Sequence, residues 1–307
     1  MNDRTEDAPP TMKLGYPCIN TTIGCTANST FRLASYSNQR FIETVRNNIR
    51  CTARILRFNV EHGLLFFRIG DLVPFASHPV CRIDWPLYFR RELAEAGQFI
   101  ADHGIRISMH PDQFVLLNAL DEGILRNSLE ELDYHAKLLD ALRLDSTAKI
   151  QIHAGGVYGG KSGSIARFAE RCRRLPPRIR RRLVIENDDR SYGLADCLEV
   201  HRLTGVPVVF DNFHHERLNA GEPLREALLA ATATWAAADG LPMVDYSSQQ
   251  PAGPRGRHAT SVDLRHFGRF LDATEGLDFD IMLEIKDKEQ SALRAIRTLR
   301  RRRMPAA

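Results

Sequence analysis

A chain of 307 residues, 43% of them hydrophobic, is long enough for one large α/β domain or two ordinary ones. No uninterrupted apolar run reaches the roughly 18 residues of a membrane helix, and the first ten residues carry no apolar signal region, so the sequence predicts a cytoplasmic protein. A net charge of +4 is too mild to announce a polyanion partner, although only six of the 42 basic residues are lysine and arginine's planar fork suits phosphate.

Segment 1–11 reads as a disordered tail. Met12 to Pro17 reads as a first strand, stopped by Pro17 and a loop rich in Thr, Gly and Asn. A helix is predicted from about Asn38 to Glu61 on the spacing of Phe41, Val45, Ile49, Ala53 and Leu56, followed by a strand at Leu64–Gly70. Helix, strand, helix and strand then succeed one another at about Leu87–Asp102, Ile105–Met109, Ile124–Leu144 and Ala148–Ile152. The glycine-rich stretch Ala154–Lys161 lacks the order of a phosphate-binding P-loop; Lys161 is left as a point charge for a phosphate, or as a surface lysine. The run Arg178–Arg182 reads as a solvated helix end before a strand at Leu183–Ile185. Further pairs follow: helix Leu194–Thr204 with strand Val208–Phe210, and an alanine-rich helix Pro223–Ala238 with strand Pro242–Val244. Helix Val262–Ala273 and strand Phe279–Leu283 come next, and a last helix runs into Arg300–Arg303.

Eight strands alternating with helices predict a single α/β domain over 12–300, a (β/α)8 TIM barrel, with a basic tail at 301–307. The six cysteines form no Cys-x-x-Cys pair and are expected to be reduced structural thiols.

Strands three to eight each end in a potential metal ligand: His110, His153, Glu186, Asp211, Asp245 and Glu284, with His214 and His258 on adjacent loops. In a barrel of parallel strands those ends share one mouth, where active sites form. Any one of them is more often an ordinary capped or salt-bridged group; six successive strand ends of ligand type point to metal. Imidazoles mixed with carboxylates suit zinc, manganese or iron, and eight ligands exceed one ion's needs, so two or three divalent ions are expected, with Glu186 as the natural bridge and Asp211 as a second candidate for it. Such a cluster fits phosphodiester hydrolysis.

At this point the sequence resembles the UV damage endonuclease family. The resemblance is carried by Leu14-Gly15-Tyr16-Pro17-Cys18, Phe67-Arg68-Ile69-Gly70, Pro74-Phe75-Ala76-Ser77-His78-Pro79, Ser108-Met109-His110-Pro111-Asp112-Gln113-Phe114, Leu183-Val184-Ile185-Glu186-Asn187-Asp188 and Glu284-Ile285-Lys286-Asp287-Lys288-Glu289-Gln290. It implies a barrel similar to endonuclease IV and the xylose isomerases. It implies incision of damaged double-stranded DNA immediately 5′ to UV photoproducts and other distorting lesions, with manganese as the expected ion and zinc, magnesium or cobalt as alternatives.

The resemblance also implies His110, His153, Glu186, Asp211, His214, His258 and Glu284 as metal ligands, with Glu186, His110 and Glu284 catalytic. Asp245 stands where relatives can have His, and Met243 offers no hard ligand. His78 is implied as a cleft residue, a weaker ligand or phosphate contact. Gln113 and Phe114 match a probing pair, and Tyr16 and Asn20 a lesion pocket. No membrane, no organic cofactor and a monomer are expected. An abasic-site endonuclease or a metal-dependent sugar isomerase on the same barrel is the competing enzyme. A damaged-DNA binder without nuclease activity has no use for eight convergent ligands.

Overall fold

The computed structural model describes residues 12–303. The expected tail at 1–11 and the last four residues of the basic tail lie outside the described residues. Eight parallel strands close on themselves in chain order, β1 (Leu14–Pro17), β2 (Phe66–Ile69), β3 (Arg106–Met109), β4 (Lys149–His153), β5 (Leu183–Glu186), β6 (Val208–Asp211), β7 (Met243–Tyr246) and β8 (Asp280–Leu283). Between and after them lie α1 (Asn38–His62), α2 (Trp85–Tyr88), α3 (Arg90–Asp102), α4 (Glu122–Ala141), α5 (Lys161–Arg174) and α6 (Pro177–Arg180). The series is completed by α7 (Leu194–Thr204), α8 (Asn212–His215), α9 (Leu224–Thr232), α10 (Leu264–Ala273) and α11 (Glu289–Arg303). The (β/α)8 barrel expected from the alternation is therefore the fold. No helix among the described residues is long and apolar enough to cross a membrane.

Helix α1 shows how local chemistry sets an element. Ser37 caps its start by accepting from the Arg40 N–H at 3.2 Å, and Phe41, Val45, Ile49 and Leu56 bury one face. Gly63 ends it in the left-handed region at φ 73°, which a residue with a Cβ enters only at a cost.

Inside the barrel the side chains follow the two-residue period of a strand. Phe66, Val184, Val209, Met243 and Met282 pack into one apolar layer, closed from below by Trp235. Two residues further along the same strands come Arg68, Glu186, Asp211, Asp245 and Glu284. One step of the pleat thus turns a dry plug into a layer of charge, and the charge faces the C-terminal mouth.

Several expectations are corrected. Cys25 and Cys51 form a disulfide, tying the β1–α1 loop to α1 across a separation of 26 residues; the lack of a Cys-x-x-Cys motif carried no information about partners distant in sequence. The arginine run before β5 is not uniformly solvated. Arg182 is 1% exposed and donates to the carbonyls of Leu144, Asp145 and Ala148, while Arg178 pairs with Asp133. The alanine-rich helix stops at Thr232, because Thr234 and Trp235 are recruited to the barrel floor: the Thr234 hydroxyl accepts from the Val208 N–H at 2.8 Å, and the Trp235 indole donates to the Val208 carbonyl at 2.7 Å. Helix α11 runs through the first three residues of the expected basic tail, to Arg303.

Candidate metal centre

Parallel pairing brings the strand ends into register: His153 lies beside Glu186 and Asp211 beside Asp245. Glu186, 1% exposed, is the hub. Its Oε2 is 3.1 Å from His110 Nε2 and 3.5 Å from His153 Nε2, and its Oε1 is 3.0 Å from His214 Nδ1. The imidazoles form a chain, with ring centroids 5.2 Å apart for His110 and His153 and 6.0 Å apart for both His153–His214 and His214–His258. Helix α8 places His214: Asp211 caps it by accepting from the His214 N–H at 2.7 Å, so strand end and imidazole are fixed as one unit.

Metal-ligating atoms of His110, His153 and Glu186 lie within 4.8 Å of one another, as do those of Glu186, Asp211 and His214 and those of Asp211, Asp245 and Glu284. Whether a cation suits the first two groups is decided by what their atoms lack. The Asp211 Oδ2 atom and the His153 Nδ1 atom are buried and have no hydrogen-bond partner. Such an atom costs about 1–3 kcal/mol when nothing satisfies it, more if charged, and a divalent ion is a satisfying partner for a carboxylate oxygen. The electrostatics agree. Burial, reinforced by Glu186, Glu284 and Asp245 against the opposing pull of His214, drives the Asp211 carboxyl well above the usual carboxylate range. Burial acts the same way on Glu186, but His153, His110 and His214 hold it well below that range. Burial alone would depress His214; Asp211 and Glu186 outweigh it and push the imidazole up to about 11. The site is short of positive charge on its Asp211 side.

His258 reaches the cluster through its ring, with Nδ1 3.0 Å from the Glu284 carbonyl oxygen. His110, His258 and Glu284 line the wall of an open cavity of about 560 Å³ together with Arg68, Arg257 and Lys286. A larger hollow of about 760 Å³ at the opposite end of the barrel has no imidazole among its lining residues. The cluster, not cavity size, identifies the site.

Not every expected residue joins it. Tyr16 is fully buried under the first loop, donates its hydroxyl proton to Asn59 Oδ1 at 2.7 Å and accepts from Asn20 Nδ2 at 2.9 Å. Lys161 is held by Asp196 at 2.9 Å at the start of α5 and stands 5.8 Å over the Tyr192 ring. His78 is exposed on the loop after β2, where its Nδ1 accepts from the Val80 N–H at 3.1 Å, outside the metal-spaced groups. Gln113 and Phe114 project from the loop after β3, and Phe114 is 72% exposed, which is unusual for a phenylalanine.

Two residues absent from the expected set stand at its centre. Arg68 and Gln151 are buried on β2 and β4, and Gln151 Nε2 donates to Glu186 Oε2 at 2.6 Å. Each interrupts an apolar strand, Arg68 between Phe67 and Ile69 and Gln151 between Ile150 and Ile152. In a parallel sheet buried on both faces, that interruption was the available signal.

The chain is similar to known proteins over nearly its whole length. Residues 12–304 match the family described as UV-endonuclease UvdE. The UV DNA damage endonuclease of Clostridium perfringens (strain 13 / Type A) is 34% identical over 292 residues, covering 94% of this chain and 71% of the relative. That of Bacillus cereus (strain ATCC 10987 / NRS 248) is 35% identical over 263 residues, covering 85% of this chain and 83% of the relative. The crystal structure of SacUVDE superposes with a TM-score of 0.91 at 44% identity over 95% of this chain and 99% of that one. Endonuclease IV from Thermus thermophilus shares the fold at a TM-score of 0.57 and 18% identity, over 82% of this chain and 94% of that one.

Proposed function

The chain belongs to the UV-endonuclease UvdE family, and on that premise we propose that it is a DNA repair endonuclease that hydrolyses the phosphodiester immediately 5′ to UV photoproducts and other helix-distorting lesions, using divalent ions with manganese as the favoured one. The observation that carries the proposal is the meeting of four imidazoles and the Glu186 and Asp211 carboxylates at one barrel mouth, with Asp211 Oδ2 buried and without a hydrogen-bond partner.

His110, His153 and Glu186 would hold one ion, and Glu186, Asp211 and His214 a second, which makes Glu186 the common ligand. Bound there, divalent ions lower the pKa of water and neutralise phosphoryl and leaving-group oxygens. The chain does the rest. Asn187 holds Asp211 by backbone contacts, donating to its carbonyl at 3.0 Å and accepting from its N–H at 2.9 Å. The Asn187 carbonyl lies 2.9 Å from His214 Nδ1 and fixes that ring. His258 and Glu284 border the open side, and Arg257 and Lys286 add positive charge to the cavity for the backbone phosphates.

Recognition falls to Gln113 and Phe114. An exposed ring on a loop beside the cleft can wedge between bases, at a cost of a few kcal/mol of unstacking that a damaged step has already partly met. Lesions are then selected by deformability rather than by sequence.

Glu186→Gln tests the proposal. It keeps the shape and removes the charge shared by both ion groups. Loss of several kcal/mol of transition-state stabilisation corresponds to a fall in incision of about a thousandfold, with binding of a dimer-containing duplex kept within about threefold. Incision near the parent rate would contradict the assignment.

A further inference from the structure

The third metal-spaced group, Asp211 with Asp245 and Glu284, differs from the other two in what already occupies it. Asp245 is fully buried, and its Oδ1 and Oδ2 each accept from Arg68 Nη2 at 2.8 Å. Oδ2 also accepts from Gln151 Nε2 at 2.5 Å. Arg68 Nη1 donates to Glu284 Oε1. Where Asp211 has a buried oxygen without a hydrogen-bond partner, both oxygens of Asp245 accept hydrogen bonds.

We propose that strand β7 supplies no metal ligand in this chain: Asp245 is the counter-ion that fixes Arg68, and the Arg68 guanidinium is a permanent positive charge built into the floor of the site. The inference rests on the metal-dependent reading above.

Three observations carry it. The spacing of the three carboxylates would suit an ion, but the charge they would bind is already among them, since Arg68 donates to both Asp245 and Glu284. A divalent ion on Asp245 would have to displace or face a guanidinium that does not deprotonate. Nor can Arg68 swing away. It is 3% exposed and spans the barrel from β2, donating to Gln151 on β4, Asp245 on β7 and Glu284 beyond β8. Finally, Arg68 lines the same cavity as His110, His258 and Lys286, so the fixed charge faces the space where substrate phosphate would lie. A preorganised cation there stabilises charge that develops in the transition state without moving to meet it. Arg68 is in this sense a positioning and electrostatic residue, and Asp245 with Gln151 is its mount.

The test is manganese binding to the full chain, by titration calorimetry and by metal analysis after dialysis, for the parent, Asp245→Asn and Asp211→Asn. Asp245→Asn is expected to hold as many ions per chain as the parent, with Kd within about threefold, whereas Asp211→Asn loses an ion or binds about tenfold or more weakly. Loss of an ion, or a similar weakening, in Asp245→Asn overturns the inference. Should Asp245→Asn not fold, the double variant Arg68→Met with Asp245→Leu removes the pair as a unit, a change buried ion pairs often tolerate. It is expected to bind manganese as well as or better than the parent while kcat on a dimer duplex falls about a hundredfold at unchanged KM. Weaker manganese binding, or an unchanged kcat, overturns it. A parent that binds no divalent ion would instead contradict the metal-dependent reading itself, and this inference with it; a parent that binds while Asp245→Asn loses an ion contradicts this inference alone.

Discussion

His214 shows how strongly the cluster asks for positive charge. Without a bound ion, Asp211 and Glu186 overcome its burial and hold the imidazole charged up to about 11, above the ordinary value of 6.5. A folded-state pKa above the unfolded one means the stabilisation is fully present below pH 6.5 and is lost as pH rises toward 11. Urea unfolding in the presence of a chelator should therefore show a stability gap between the parent and His214→Gln that is widest near pH 6 and narrows steadily to pH 10. A gap that does not change with pH would refute the coupling. On the loop after β3, Phe114→Ala removes the exposed ring without touching the core, and should lower the preference for a dimer duplex over an intact one by about tenfold while leaving stability unchanged. Competition binding with the two duplexes measures it.

The strand-end residues were legible in the sequence because six successive apolar runs, each closed by a ligand-type side chain, are hard to produce by chance. Arg68 and Gln151 were harder. Nothing local states that a charge inside an apolar strand points into a barrel and meets an aspartate 177 residues away. The surroundings of Tyr16 and Asn20 were not legible for a related reason: the Tyr16 hydroxyl donates to Asn59 on α1 and accepts from Asn20, contacts set by how the helix packs and not by the motif around them.

Elements differ in how far local chemistry determined them. The strands and α1 follow periodicity and caps, so they agree with expectation to within a few residues. The α9 segment does not, because Thr234 and Trp235 are claimed by the barrel floor, a tertiary demand that overrides helix propensity. The β1–α1 connection is held by the Cys25–Cys51 disulfide, which closes a separation of 26 residues and on loop-entropy grounds is worth about 3 kcal/mol. Cys25→Ser should lower the denaturant midpoint accordingly under non-reducing conditions and have no effect once the parent is reduced. Equal midpoints without reductant would show that the bridge adds nothing. Gly15 on β1 is an equally sharp constraint, since a Cβ there would sit 1.5 Å from the Phe66 carbonyl oxygen of the neighbouring strand.

At the scale of the molecule, the barrel converts sequence order into a shared mouth. A period of two along β2 and β5 to β8 carries an apolar layer into a charged one, and closure of the sheet turns separate strand ends into one cluster. The fold alone does not choose a substrate, because epimerases and endonuclease IV share it at TM-scores of 0.54 to 0.57. What narrows the choice is the combination of family membership, two groups of side chains spaced so that they could hold a metal ion, and an exposed aromatic ring on the loop after β3. The most direct test of the central claim is incubation of the purified protein with manganese and end-labelled duplexes carrying one pyrimidine dimer, one abasic site or no lesion. The expected result is a manganese-dependent nick immediately 5′ to the dimer, with the intact duplex left whole. Equal nicking of all three duplexes, or of none, would contradict it.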